Sequence, residues 1–229
     1  MIMSEKKNRK NILSSPPLSF HDHEQLQIDL GDDPFLSDEN LIKWSKDYCS
    51  TSQHLLTFYS LAIGLNAKSI VEFGFGRSSF VFLKAASFLN SKVTLIDNRD
   101  FSYLLSEQEK MLSDFLVKDF REVSNSLRNN EISKEGVDIC FFDVFSNPAM
   151  KESIIKRTIE DVYAVTKQNG ILMFHDTIIS EYKIKEVVDD FKSAYDCEIL
   201  TLPYNYGLTI LRKKEESEFG SIKNKWFKK

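Results

Sequence analysis

The residues able to do chemistry fall at four places in this chain. The first is the stretch IVEFGFGRSSF, residues 70–80, with Glu72 two positions before Gly74, and Gly76, Ser78 and Ser79 following. The others are Asp97, the pair Asp119-Phe120, and the group formed by Asp143 with His175-Asp176. A glycine-rich turn between an apolar run and a helix leaves backbone amides bare for a ligand. A tight turn without any ligand would also use glycine.

The flanks of the turn narrow the ligand. A dinucleotide fingerprint has a third small, glycine-like residue for close helix packing, where this chain has Ser79. Glu72 would repel a pyrophosphate but suits a cationic ammonium group. That combination points away from NAD and toward S-adenosylmethionine. Asp97, about 20 residues beyond the loop, could accept both hydroxyls of a ribose, since one carboxylate takes two O–H donors. A strand-end cap is the alternative.

Asp143 and Asp176 each end an apolar run, and neighbouring strands lie about 4.8 Å apart, so the two carboxylates can converge. Two chemistries fit them. In one, Asp143 and Asp176, with His175 or Thr177, hold a divalent cation such as Mg²⁺. In the other, His175 is a general base oriented by a carboxylate. A third reading has His175 and Asp176 only capping a loop. Strand residues alternate sides, so His175 and Asp176 share a face only if the strand has already ended. His21-Asp22-His23 lacks a third nearby ligand and reads as solvated surface.

These residues need a frame, and the pattern supplies one. Ser37 opens a helix with Leu41, Ile42 and Trp44, and a second helix spans 52–63. Strands are predicted at 68–73, 92–96, 114–117, 137–142 and 171–174. Helices are predicted at 79–89, 101–112, 123–129, 150–166 and 184–195, with Gly170 as the stop for the fourth of these. Such alternation implies an α/β, doubly wound, Rossmann-like, mostly parallel sheet. The last strands, 198–202 and 207–211, are separated by only Pro203-Tyr204-Asn205-Tyr206, which requires an antiparallel hairpin.

At the ends of the chain, residues 1–36 are polar with three prolines and read as a flexible arm, and 215–229 as a charged tail; 37–214 form the domain. The 229 residues carry a formal charge of −4, which gives no general pull toward nucleic acid. Cys49, Cys140 and Cys197 are scattered and read as free thiols in a reducing cytoplasm. No run of 18 apolar residues suggests a membrane span.

EFGFGRSS, then VTLID, VKDF, FFDVF and ILMFHDT, resembles the class I S-adenosylmethionine-dependent methyltransferases over roughly residues 52–212. The G-x-G-x-S-S start and the HD ending resemble a bacterial small-molecule and sugar O-methyltransferase branch. The resemblance implies a seven-stranded sheet and a cofactor site. Glu72, Gly74 and Gly76 would line the methionine end, Ser78 and Ser79 would lie near its carboxylate or the helix start, and Asp97 would hold the ribose. Asp119 and Phe120 would flank adenine.

The acceptor would meet Asp143, His175 and Asp176. Catechol-type relatives have Asp-Asn where this chain has Asp176-Thr177. The implied acceptor is a small molecule, a sugar or polyhydroxylated metabolite methylated on oxygen. No NPPY or DPPY signature of amino-group methylation follows the fourth strand. A homodimer is compatible with the resemblance, and no residue decides it. Arg77 has no assigned role, and Tyr204, Asn205 and Tyr206 either cover the acceptor or pack. A Rossmann-fold NAD(P)-dependent oxidoreductase and a non-catalytic nucleotide-binding protein are the other readings.

Overall fold

The computed structural model describes residues 35–48, 50–129 and 135–214. His21-Asp22-His23, Cys49, the tail at 215–229 and the arm up to residue 34 lie outside the described residues. Leu36, expected in the arm, is instead buried in the core, and its carbonyl accepts from Lys84 Nζ at 2.8 Å.

Strands β1 (Ser69–Phe73), β2 (Lys92–Asp97), β3 (Ser113–Val117), β4 (Val137–Phe142), β5 (Thr166–His175), β6 (Cys197–Leu202) and β7 (Leu208–Lys213) form one sheet in the order β3-β2-β1-β4-β5-β7-β6. The pairs among β1 to β5 are parallel, and β7 runs antiparallel between β5 and β6. The central strands are covered on both faces, which is why SIVEF and VDICFF read as nearly continuous apolar runs.

Alternation along each strand feeds two cores. Ile70, Leu95, Phe141 and Met173 pack under α1 (Asp38–Ser45), α2 (Leu55–Gly64) and α3 (Arg77–Leu89). Val71, Phe73, Phe142 and Phe174 face α5 (Phe120–Arg128), α6 (Glu152–Val165) and α7 (Ile184–Ala194). On that face Phe73, Phe142 and Phe174 stack across β1, β4 and β5 with ring centroids 4.9 and 5.1 Å apart.

Several boundaries differ from expectation. The helix expected from 101 is a short 3-10 turn, Ser102–Leu104, and then α4 (Glu107–Leu112). Ser106 and Glu109 form a capping box that fixes this later start. Helix α5 begins at Phe120, three residues early, because Asp119 caps it by accepting the Arg121 N–H. Helix α6 ends at Val165 and runs directly into β5, so Gly170 lies inside a strand rather than after a helix. The second helix begins with a 3-10 turn at Ser52–His54. No helix among the described residues is long and apolar enough to cross a membrane.

Candidate functional site

The site is built where β1 and β4 part company at their carboxyl ends, with β2 and β5 outside them. This is the place where a doubly wound sheet opens a crevice. Past the end of β1 the ladder continues one step: the Gly74 N–H donates to the Ile96 carbonyl and the Asp143 N–H to the Phe73 carbonyl, both at 2.8 Å.

The two glycines of the turn have different reasons to be glycine. Gly74 has φ +98°, and a Cβ there would lie 2.9 Å from the Asp143 carbonyl oxygen. The fold requires it. Gly76 is extended, with φ −168°, a conformation open to any residue, and a Cβ there would meet nothing within 4 Å. Its small size leaves space beside the turn that the protein itself does not fill.

Glu72 is fully buried beneath this turn. Its Oε1 accepts from the Ser78 hydroxyl at 2.5 Å, while Oε2 has no partner. Burial pushes its carboxyl up to about 8, against the Ser78 and Ser79 hydroxyls that favour the charged form, with Asp143 and Asp97 adding repulsion. Ser79 accepts the Gly76 N–H at 3.1 Å. Both serines are buried and hold the turn together at the start of α3.

Asp97 closes the other side. Its Oδ2 accepts the Phe75 N–H at 3.0 Å and its Oδ1 the Arg99 N–H at 2.9 Å. Each oxygen keeps a second lone pair for a ligand hydroxyl. A cleft of about 570 Å³ opens beside it, lined by Asp97, Asp119, Phe120, Val144 and Met150 among others. Asp119 is both the cap of α5 and the partner of Arg121, and Phe120 meets Phe145 edge-on at 5.7 Å. Both line the expected side of the cleft while already serving the fold.

The structure also brings Asp143, His175 and Asp176 together. His175 Nδ1 lies 3.1 Å from Asp143 Oδ1 and 3.1 Å from Asp176 Oδ1. Its Nε2 lies 3.1 Å from the Asn205 carbonyl oxygen. The backbone reconciles this with strand alternation: β5 ends at His175, and Asp176, at φ +59°, turns its carboxylate back to the same cluster. The Ser146 hydroxyl donates to the second Asp176 oxygen.

Both ring nitrogens of His175, expected as a general base or a ligand, have partners: Nε2 faces the Asn205 carbonyl and Nδ1 faces two carboxylates. A protonated Nδ1 would donate to those carboxylates. Burial by itself would lower the imidazolium pKa, but Asp143 and Asp176 outweigh that and raise it to about 10. Ligand atoms of Asp143, His175 and Asp176 all lie within 4.8 Å of one another. Thr177, named with them as a candidate ligand, has its hydroxyl engaged by Thr209 at 3.0 Å.

Three further residues meet the cluster or the turn: His54, which the sequence does not single out, Asn205, expected to cover the acceptor or pack, and Arg77, which had no assigned role. His54, fully buried, stacks on Tyr204 at 4.9 Å and meets the His175 ring edge-on at 5.7 Å. Asn205 holds both His175 and, through its side-chain amide, the Ser50 carbonyl. Arg77 is buried with Nη1 2.8 Å from Asp47 and 2.7 Å from the Ser52 hydroxyl, and its guanidinium lies 5.3 Å from the Trp44 ring. It ties the glycine turn to α1 and the segment before α2. Only the polar run 50–54 hints at these contacts.

No family model matches the chain, and no curated protein matches it in sequence. Solved structures do. An O-methyltransferase from Bacillus cereus in complex with S-adenosylhomocysteine superposes with a TM-score of 0.55 at 12% identity, covering 78% of this chain and 92% of that one. A Podospora anserina methyltransferase with S-adenosylhomocysteine bound gives 0.53 at 16% identity over 74% and 81%. The N-methyltransferase NodS from Bradyrhizobium japonicum gives 0.52 at 13% identity over 71% and 96%. The fold is that of the class I S-adenosylmethionine-dependent methyltransferases.

Proposed function

We propose that the chain is an S-adenosylmethionine-dependent methyltransferase acting on a hydroxyl oxygen of a small molecule, a sugar or other polyhydroxylated compound. The observation that carries the cofactor is Glu72: a fully buried carboxyl with one unpartnered oxygen, beside a glycine whose side-chain space is empty. A buried acceptor of this kind is costly unless a ligand completes it. The oxygen acceptor is supported by the Bacillus cereus O-methyltransferase neighbour and by the absence of the NPPY or DPPY signature.

When bound, S-adenosylmethionine supplies an electrophilic methyl group on a sulfonium. The chain positions it. Glu72 receives the ammonium group, the Gly76 side of the turn admits the methionine chain, and Asp97 accepts the ribose hydroxyls. Asp119 and Phe120 border the adenine. On the acceptor side, Asp143 is the most open member of its cluster, with a side chain 25% exposed against 2% for His175 and 8% for Asp176. Asp143 therefore accepts the hydrogen bond of the reacting hydroxyl and takes its proton as the oxygen is methylated, while His175 and Asp176 hold it in place. Alignment of acceptor and methyl group does the rest of the work.

The clustering of three donors favours a second reading of the same place, in which Asp143 and Asp176 hold a divalent cation such as Mg²⁺. His175 would then join through Nδ1 with its Nε2 proton fixed by Asn205, and a nitrogen donor would suit Mn²⁺ or Zn²⁺ better than Mg²⁺. Full turnover in excess EDTA ends that reading, whereas loss of turnover with cofactor binding intact supports it. The proposed activity itself is tested by transfer of labelled methyl groups from S-adenosylmethionine to a panel of hydroxylated acceptors.

The buried Cys140 and Cys197 are free, consistent with a reducing cytoplasmic setting, and the acidic net charge argues against a nucleic-acid partner.

A further inference from the structure

Two buried groups of opposite charge at the glycine turn each keep one atom without a hydrogen-bond partner among the described residues: Glu72 through Oε2 and Arg77 through Nη2. Glu72 lies beneath the turn, and Arg77 is the first residue of α3, directly after Gly76. The Arg77 side chain is only 8% exposed, and its Nη1 alone holds both Asp47 and the Ser52 hydroxyl. A buried guanidinium donor left empty is unfavourable unless a ligand fills it. Tying α1 to the turn accounts for one end of this fork and leaves the other unexplained.

The cofactor proposed for the turn brings two charges to it. The ammonium group assigned to Glu72 shares a carbon with a carboxylate, so an anion arrives beside a buried carboxyl and needs a donor of its own. The other donors of the turn are committed inside the protein. The Gly74 amide donates to the Ile96 carbonyl, the Phe75 amide to Asp97 and the Gly76 amide to Ser79 Oγ. Ser78, expected near the carboxylate or the helix start, donates its hydroxyl to Glu72. Of residues 72–79 only Arg77 is cationic.

We propose that Arg77 is the carboxylate-binding residue of the cofactor site: its Nη2 donates to the α-carboxylate while Glu72 Oε2 accepts from the α-ammonium group, so that the turn reads the complete amino-acid zwitterion. This assignment rests on the cofactor reading above. Asp47 and Ser52 hold the guanidinium in place before the ligand arrives, which reduces the side-chain freedom lost on binding. The consequence is specificity. A ligand that lacks the carboxylate leaves the buried donor empty, and a site built to hydrogen-bond a group discriminates strongly against the analogue without it.

The test measures, by calorimetry on the full chain, the affinities for S-adenosylhomocysteine, for its decarboxylated analogue, and for 5′-methylthioadenosine, which lacks the whole amino-acid head. The wild type should bind S-adenosylhomocysteine about ten- to a hundredfold more tightly than the decarboxylated form. Arg77→Met should remove that preference. Arg77→Lys keeps a cation for Asp47 but offers a single nitrogen, so it preserves the tie to α1 and should still lose most of the preference. Equal wild-type affinities for the first two ligands overturn the proposal. A preference kept at full size in both variants also overturns it, and moves the carboxylate to the amides that open α3. An equal loss for all three ligands marks Arg77 as a purely structural tie and overturns it as well. Each of these results leaves the cofactor reading standing, whereas a wild type that binds none of the three ligands sinks that reading and this proposal together.

Discussion

Gly74 and Asp143 are in contact at the mouth of the sheet: a Cβ added to Gly74 would stand 2.9 Å from the Asp143 carbonyl oxygen. The turn that would hold a cofactor is thereby seated directly on the strand end that carries the carboxylate proposed to meet the acceptor. A change at one is felt at the other.

The two glycines of the turn should therefore respond differently to alanine. Gly74→Ala is expected to destabilise the protein by about 1–3 kcal/mol, through its left-handed backbone and the contact with Asp143. Gly76→Ala should leave stability unchanged and still weaken S-adenosylhomocysteine binding, because its Cβ enters the space reserved for the ligand. Denaturant melts and calorimetry on both variants check this. Equal stability of the two would contradict the assignment.

Asp97→Ala should weaken S-adenosylhomocysteine binding by about 1.5–3 kcal/mol through loss of charged hydrogen bonds. Part of that loss comes through the turn, since the Phe75 amide also loses its partner. Unchanged affinity in calorimetry would remove Asp97 from the site.

Glu72 predicts a pH dependence with a definite sign. Its carboxyl titrates at about 8 in the fold against an ordinary 4.5, so the unliganded fold favours the protonated form. Its contribution to stability is fully present below the ordinary value and is lost as pH rises through about 8. A ligand ammonium needs the ionised form. S-adenosylhomocysteine affinity should therefore rise from about pH 6 to about pH 8 and then level off, with a proton released on binding. Glu72→Gln should raise the melting temperature of the unliganded protein at alkaline pH and abolish the pH dependence. A flat affinity profile in the wild type would show that Glu72 does not meet the cofactor.

Arg77 should matter for stability more than its place inside the glycine loop suggests. Asp47→Ala leaves a guanidinium with an 8% exposed side chain lacking its carboxylate, and should cost about 2 kcal/mol, less than a fully buried pair because Asp47 is 34% exposed. Chemical denaturation measures it. A loss no larger than that of a surface pair would mean that Arg77 does not hold α1 to the turn.

Much of this frame is legible in the sequence because the parallel strands are buried on both faces. Ile70 to Phe73, Val93 to Ile96 and Val137 to Phe142 announce themselves as apolar runs, and the residues at or just past their ends, Gly74, Asp97 and Asp143, are placed at the crevice by topology alone. The start of β5 is not legible, because Lys167-Gln168-Asn169 look like a loop, and the ladder to β4 indeed skips them: Thr166 pairs with Val137 and pairing resumes only at Ile171 with Ile139. The start of α4 is obscured for a local reason: the Ser106–Glu109 capping box outweighs the apolar residues before it.

The acceptor side is the least legible. Beyond the polar run 50–54, nothing signals the contacts of His54, since its partners His175 and Tyr204 come from the other end of the chain. Asp176 reaches the cluster only through a left-handed backbone that an aspartate adopts without advertising it. His175 is readable as a titrating group, but its role depends on two carboxylates and the Asn205 carbonyl that only the fold assembles.

The central claim is that the turn at Glu72–Ser79 holds S-adenosylmethionine, and calorimetric titration of the wild-type chain with S-adenosylhomocysteine and, separately, with NADH tests it most directly. The account predicts saturable binding of S-adenosylhomocysteine that weakens in Asp97→Ala, and no binding of NADH. Binding of NADH with none of S-adenosylhomocysteine would contradict it and establish the dinucleotide reading in its place.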